Sequence, residues 1–166
     1  MRALLVGCAL CALVVVLSGC GASNAATGEA AAAQRRVDLY EISKIERSFH
    51  EAISKKNISE MVSLFSPHAT GTFAPGKTVT GRAQIRRVWL KSKAFKPTTH
   101  WLSDHPAYKL KVTVDGDRGT LHFECHFIDV DTGKVAAVTA GNLDVAKIDG
   151  HWLITNFVGS TSELKI

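Results

Sequence analysis

No acidic residue stands between Glu60 and Asp104 of this 166-residue chain, while seven basic ones do: Lys77, Arg82, Arg86, Arg87, Lys91, Lys93 and Lys96. That imbalance excludes internal charge pairing along the stretch. It leaves a solvated cationic helix face, or one that meets anionic groups such as lipid head groups. Cysteine is scarce, with four residues at positions 8, 11, 20 and 125. A long apolar run is missing too. The longest, residues 3–17, falls short of the about 20 residues that span a bilayer comfortably. No internal repeat is present.

The short apolar run is nevertheless informative. One cation, Arg2, precedes it, and Leu17-Ser18-Gly19-Cys20 closes it with small residues before a cysteine. This is the layout of a bacterial lipoprotein signal peptide over residues 1–19, with Cys20 as the residue that takes the lipid and becomes the new N-terminus. One acyl chain such as palmitate holds only marginally, and two or three hold firmly. The expected address is the cell envelope, lipid-anchored and facing the periplasm or exterior, so nucleic acid is not an expected partner. Cleavage removes Cys8 and Cys11, and lipid consumes Cys20. Cys125 is then the only thiol, and no intramolecular disulfide can form. Loss of Arg2 from the +5 chain leaves +4.

Residues 21–36 are rich in Ala, Ser, Gly and Thr and hold almost no large apolar side chain. They cannot bury enough surface to fold alone, which predicts a flexible tether over residues 20–36. Residues 37–166 have the size of one domain with one core.

The first half of that domain reads as helical. Leu39, Ile42, Ile45, Phe49 and Ile53 recur at steps of three and four and form one apolar stripe. Ile58, Met61, Val62 and Phe65 form a second, shorter stripe, with Pro67 beyond it. Thr80 is placed to cap a third helix that turns Ile85, Val88 and Trp89 inward. Residues 69–73 suit a short strand before the Pro75-Gly76 turn. The second half alternates as strands do, over residues 108–114, 119–129, 135–148 and 151–158. Asp115-Gly116, Asp131-Thr132-Gly133 and Asp149-Gly150 supply the turns between them. Helices first and a meander afterwards predict an α+β domain with helices packed on one face of a curved sheet.

Several short motifs occur in a characteristic order: residues 45–65, Ala69-Thr70, Thr80-Gly81 before a helix, Val114-Asp115-Gly116-Asp117, and Asp149-Gly150-His151-Trp152-Leu153-Ile154. Together they resemble the SnoaL-like branch of the nuclear-transport-factor-2-like (NTF2-like) superfamily. The resemblance implies a cone: three N-terminal helices on a strongly curved antiparallel sheet, enclosing an apolar pocket. That cone hosts isomerases, dehydratases, small-molecule binders and interaction modules, so the fold does not choose among them.

The resemblance also implies site residues. Set against the isomerase-like members, the oxyanion tyrosine falls on Phe49, the base on Phe73 and the oxyanion aspartate on Asp144. Only the last keeps its chemistry, so Asp144, Phe49, Phe73, Trp89 and Asn142 are the expected ligand contacts. Set against the dehydratase-like members, His100 matches one catalytic histidine and His122 or His126 the other, while the helix-one carboxylate falls near Ser54. Imidazoles suit that work because they titrate near neutrality. His122, Glu124 and His126 share one strand face, opposite Leu121, Phe123, Cys125 and Phe127. The trio could hold a metal, work in the pocket, or face solvent or a second copy across the sheet. Cys125 itself reads as a small buried hydrophobe.

The combined expectation is a lipid-tethered cone that binds a small apolar ligand or a protein partner. A homodimer through the sheet is compatible with it, and neither metal nor cofactor is expected. The enzymatic alternative is a dehydratase using His100 with His122 or His126.

Overall fold

The computed structural model describes residues 20–74, 76–104 and 106–164. The expected signal peptide, residues 1–19, lies outside the described residues. Helix α1 (Cys20–Ser54) is followed by α2 (Ile58–Ser63), β1 (Phe65–Ala74), β2 (Lys77–Thr80) and α3 (Arg82–Lys91). After a short 3-10 turn at Lys93–Phe95 come β3 (Trp101–Ser103), β4 (Lys109–Asp115), β5 (Arg118–Asp129), β6 (Lys134–Ile148) and β7 (His151–Glu163). The described residues divide between Ala33 and Gln34 into two units. In the first, residues 20–33 are helical rather than a flexible tether. The physical reason is alanine, which has the best intrinsic helix propensity and needs no core partner to express it.

In the second unit, α1 buries Ile42, Ile45, Phe49 and Ile53 of the expected apolar stripe, with Ala52 beside them, while Leu39 is half-buried. Lys56 takes a left-handed conformation (φ 57°) between α1 and α2. Asn57 then caps α2, accepting from the Glu60 amide at 3.1 Å and donating to the Glu60 carboxylate at 2.8 Å. The start of α3 differs from expectation. Thr80 ends β2, paired with Thr70, and the cap is Gly81 (φ 84°), which makes no side-chain cap bond. Arg82 compensates by donating through Nε to the Phe65 carbonyl at 2.6 Å, which pins α3 to the first residue of β1.

The seven strands form one sheet in the order β2-β1-β7-β6-β5-β3, with β4 also paired to β5. All pairs are antiparallel except β1 with β7, which run parallel. Register shifts on β1, between Phe127 and Ile128, and between Asp144 and Val145 mark bulges. Bulges bend and twist the strands that carry them. One sheet face carries Leu121, Phe123, Cys125, Phe127, Leu143, Val145, Ile154 and Phe157, all buried with the inward stripe of α1. This is an α+β fold with three helices on a curved open sheet, as expected.

Phe49 sits at the centre of the core. Its ring lies 5.4 Å from Trp89, 5.6 Å from Phe157 and 5.8 Å from Phe123. Nearer the start of α1, Asp38 ties the helix to the sheet. Its Oδ1 accepts from Lys147 Nζ at 2.9 Å, Trp152 Nε1 at 3.0 Å and Gln34 Nε2 at 3.2 Å. The Lys147 bond, more than any other contact, holds this carboxyl below its ordinary range.

Candidate functional site: an aromatic groove, an outer polar face and a buried polar cluster

Three aromatic side chains from different elements meet where α3 approaches the sheet. Phe73 of β1 stacks on Phe157 of β7 at 5.3 Å, and Trp89 of α3 stands edge-on to Phe73 at 5.5 Å. Edge and stacked contacts of this kind are the favoured aromatic geometries. The inward positions of α3, Ile85 and Trp89, are four residues apart, which aims the indole into this contact. Phe73, Trp89, Phe157, Gly159 and Thr139 line a groove of about 180 Å³. A second groove of about 310 Å³ shares Phe73, Gly159 and Ser160 with it and extends to Asn142 and Val158. Buried Trp89 Nε1 has no hydrogen-bond acceptor among the described residues. Of the expected ligand contacts, Phe73 and Trp89 are thus brought together in the first groove, while Asn142 lines only the second, from the outer sheet face. Phe49 lies behind them as packed core rather than as lining.

Asp144 is placed differently from the pocket position its resemblance implied. On β6 the odd residues Gly141, Leu143 and Val145 face the core, so Asn142 and Asp144 point outward and are exposed. Asp144 Oδ2 accepts from Asn156 Nδ2 at 3.1 Å, and the residue borders an outer-face groove of about 530 Å³ with Arg118, Thr113 and Thr120.

The three expected catalytic histidines are also outside the core. His100 precedes β3, is exposed, and pairs through Nδ1 with Asp131 at 2.8 Å. His122 meets Asn142 Oδ1 at 2.8 Å and Glu124 Oε1 at 3.2 Å on the outer sheet face. His126 pairs with Asp104 at 2.9 Å and stacks on Tyr108 at 4.4 Å. Glu124 also accepts from Lys109 at 2.6 Å and Tyr108 at 2.9 Å. Lys109 first, then Tyr108 and His122, lower its pKa to about 2. His122 and Glu124 therefore form an outward hydrogen-bonded pair, and His126 bonds separately to Asp104. Ser54, at the expected carboxylate position, accepts instead from the Ser103 amide at 3.0 Å.

A polar cluster that sequence reasoning missed lies inside the core. Glu46 and His50 of α1 are 2% and 0% exposed and meet Cys125 of β5, also 0% exposed. Cys125 Sγ is 3.2 Å from His50 Nε2 and 3.4 Å from Glu46 Oε1, and those two atoms are 3.7 Å apart. Burial, and then the Glu46 charge, push the Cys125 thiol far up, which favours its protonated form. The available signal was spacing. Glu46 and His50 are four apart beside Ile42, Phe49 and Ile53, on a face that is otherwise apolar. This is the only group of three or more potential metal ligands among the described residues.

The SnoaL-like domain family model matches residues 34–158. Among solved structures, the chain is similar to an NTF2-like protein with a cystatin-like fold from Novosphingobium aromaticivorans. That match has 16% identity, a TM-score of 0.67, and covers 81% of this chain and 88% of the other. It is similar too to an NTF2-like protein of unknown function from Pseudomonas putida KT2440, with 13% identity, a TM-score of 0.66 and coverage of 75% and 87%. A candidate dehydratase of the NTF2-like family from Streptomyces avermitilis has 13% identity, a TM-score of 0.61 and coverage of 76% and 97%. No curated protein matches the sequence. Identities this low carry the fold alone. The family match spans nearly the whole helix-and-sheet unit, and the chain belongs to the SnoaL-like domain family.

Proposed function

We propose that this SnoaL-like domain binds a small, mainly apolar molecule carrying one hydrogen-bond acceptor, seated against Trp89. The observation behind the reading is the Trp89 indole N–H: it is buried, belongs to a residue lining an apolar groove, and meets no acceptor among the described residues. A buried donor left unpaired costs about 1–3 kcal/mol. A ligand carbonyl or ether that meets the indole N–H as the Trp89 side chain turns toward the groove would recover that loss, while Phe73 and Phe157 offer flat apolar walls. The size of the groove suits a single ring or a short chain. A dehydratase would need two imidazoles at one cavity, whereas His100, His122 and His126 line neither aromatic groove. That arrangement favours binding over catalysis.

A suitable probe is acetophenone, one apolar ring with one carbonyl. Titrated into the protein, it is expected to move the Trp89 indole N–H resonance downfield and to shift amides of residues 157–161. Trp89→Phe should keep the fold and lose the response. A Trp89 resonance that does not move up to the solubility limit, in a protein whose native mass shows no retained small molecule, would overturn the reading.

The proposal extends to location: cleavage after Gly19 and acylation of Cys20 would hold the domain at the cell envelope. No described helix is long and apolar enough to cross a membrane itself. Mass spectrometry of the N-terminal peptide from the native host is expected to find acyl chains such as palmitate on Cys20. An unmodified Cys20 on membrane-free protein would refute the anchor.

A further inference from the structure

We infer that Glu46, His50 and Cys125 form a zinc-type site inside the core, distinct from the aromatic groove. The three donor atoms form a triangle with edges of 3.2, 3.4 and 3.7 Å. Such a triangle has a circumradius of about 2.0 Å, and zinc lies about 2.0–2.3 Å from nitrogen, oxygen and sulfur ligands. An ion slightly above the triangle's plane therefore reaches all three donors with little side-chain movement.

The direction of the contacts separates this site from a catalytic triad. In a triad the nucleophile meets one imidazole nitrogen and the carboxylate meets the other. Here Sγ and Oε1 both converge on the same atom, His50 Nε2. Three donor atoms gathered around one point is how ligands surround an ion. The chemistry agrees: thiolate, imidazole and carboxylate together suit a borderline-soft divalent ion. A 2+ ion bound by one thiolate, one carboxylate and a neutral imidazole is also locally neutral, which removes the penalty of burying unbalanced charge. Ser103, a buried hydroxyl that bears on the same sulfur, is the nearest candidate for a fourth oxygen donor.

Loading is a substitution without redox change. The Cys125 S–H bond breaks, a zinc–sulfur bond forms, and one proton leaves to solvent for each ion bound. The three ligands are sealed from solvent, so the ion enters as the chain folds.

The test is to refold the full chain with one equivalent of Co2+ and remove loosely held ion by gel filtration. One cobalt per chain should be retained, with a sulfur-to-cobalt charge-transfer band and visible bands of four-coordinate intensity. X-ray absorption of the zinc-loaded protein should show a single sulfur at about 2.3 Å. Cys125→Ser should abolish the charge-transfer band and weaken retention at least about a hundredfold, since loss of a second-shell partner alone costs 10–100-fold. His100→Ala, at the surface, should retain both. Because the absorption measurement uses the unaltered protein, it decides the matter even where a core variant fails to fold. Folded protein that keeps no cobalt, or keeps it without a sulfur ligand, overturns the site. So does a charge-transfer band that survives in Cys125→Ser, because the ion would then sit on another cysteine.

Discussion

Gly159 has no side chain where the Phe157 ring lies: a Cβ built on it would sit 2.3 Å from Phe157 Cζ and 3.1 Å from the Ala140 carbonyl oxygen. The ring cannot retreat, because Phe49, Phe65 and Phe73 hold it at 5.6, 6.2 and 5.3 Å. Gly159→Ala should therefore destabilise the domain by about 1–3 kcal/mol, the range for overpacked cores. The check is chemical denaturation, read as a lower midpoint with an unchanged slope. The same variant should narrow the aromatic groove, which Gly159 lines, and weaken acetophenone binding.

Asp38 offers a contrast between losing a charge and losing an acceptor. Its one oxygen, Oδ1, serves Lys147, Trp152 and Gln34. Asp38→Ala leaves the buried Trp152 N–H without its acceptor and should cost about 1–3 kcal/mol. Asp38→Asn keeps an oxygen at that place and should cost less. The ordering, measured by thermal unfolding, is the prediction; equal losses would mean that the Lys147 ion pair dominates.

Asp38 and Glu124 both contribute to the acid side of the stability profile. The pKa values of Asp38 and Glu124 are lowered from 3.8 and 4.5, that of Glu124 to about 2. A depressed carboxyl pKa stabilises the folded state above the unfolded value, and that stability is lost as pH falls through the folded one. For Glu124 the loss should run from about pH 4.5 down to about pH 2, with no contribution to any pH dependence above that window. A carbon-13 titration of the Glu124 carboxyl should find its midpoint near the bottom of the window. Lys109→Ala should move the midpoint upward, because Lys109 is the largest cause of the shift.

Much of the fold was legible because period-two alternation is a local signal. Leu121, Phe123, Cys125 and Phe127 declared the buried face of β5, and Asp149-Gly150 declared the hairpin between β6 and β7, with both residues at positive φ. The same alternation, Leu143 and Val145 around Asp144, already pointed Asp144 outward. Only the family resemblance placed it in a pocket. The parallel pairing of β1 with β7 was not legible, since it joins residues about 90 apart and no local pattern encodes it. The helix over residues 20–33 was missed because its composition was judged by core-forming capacity, whereas alanine is helical without a core. Glu46 and His50 were hidden because the apolar stripe was counted by its isoleucines. The two polar side chains on that face complete a site only with Cys125, a residue 75 positions from His50 in sequence.

His100 and Trp89 together separate catalysis from binding. His100 makes an exposed hydrogen bond to Asp131, with side chains 54% and 66% accessible. Exposed pairs contribute at most about 1 kcal/mol, and neutral surface changes fall within about 0.5 kcal/mol. His100→Ala should therefore leave the melting temperature almost unchanged and leave acetophenone affinity as it was, since His100 does not line the groove. Trp89→Phe keeps an aromatic ring but removes the N–H, so it should weaken binding of a carbonyl ligand more than of a pure hydrocarbon of the same shape. Comparing acetophenone with ethylbenzene across both variants isolates that donor. If His100→Ala, rather than Trp89→Phe, abolished binding or any turnover of a hydroxylated ligand, the chemistry would belong at the β3 end of the sheet. The groove would then be packing.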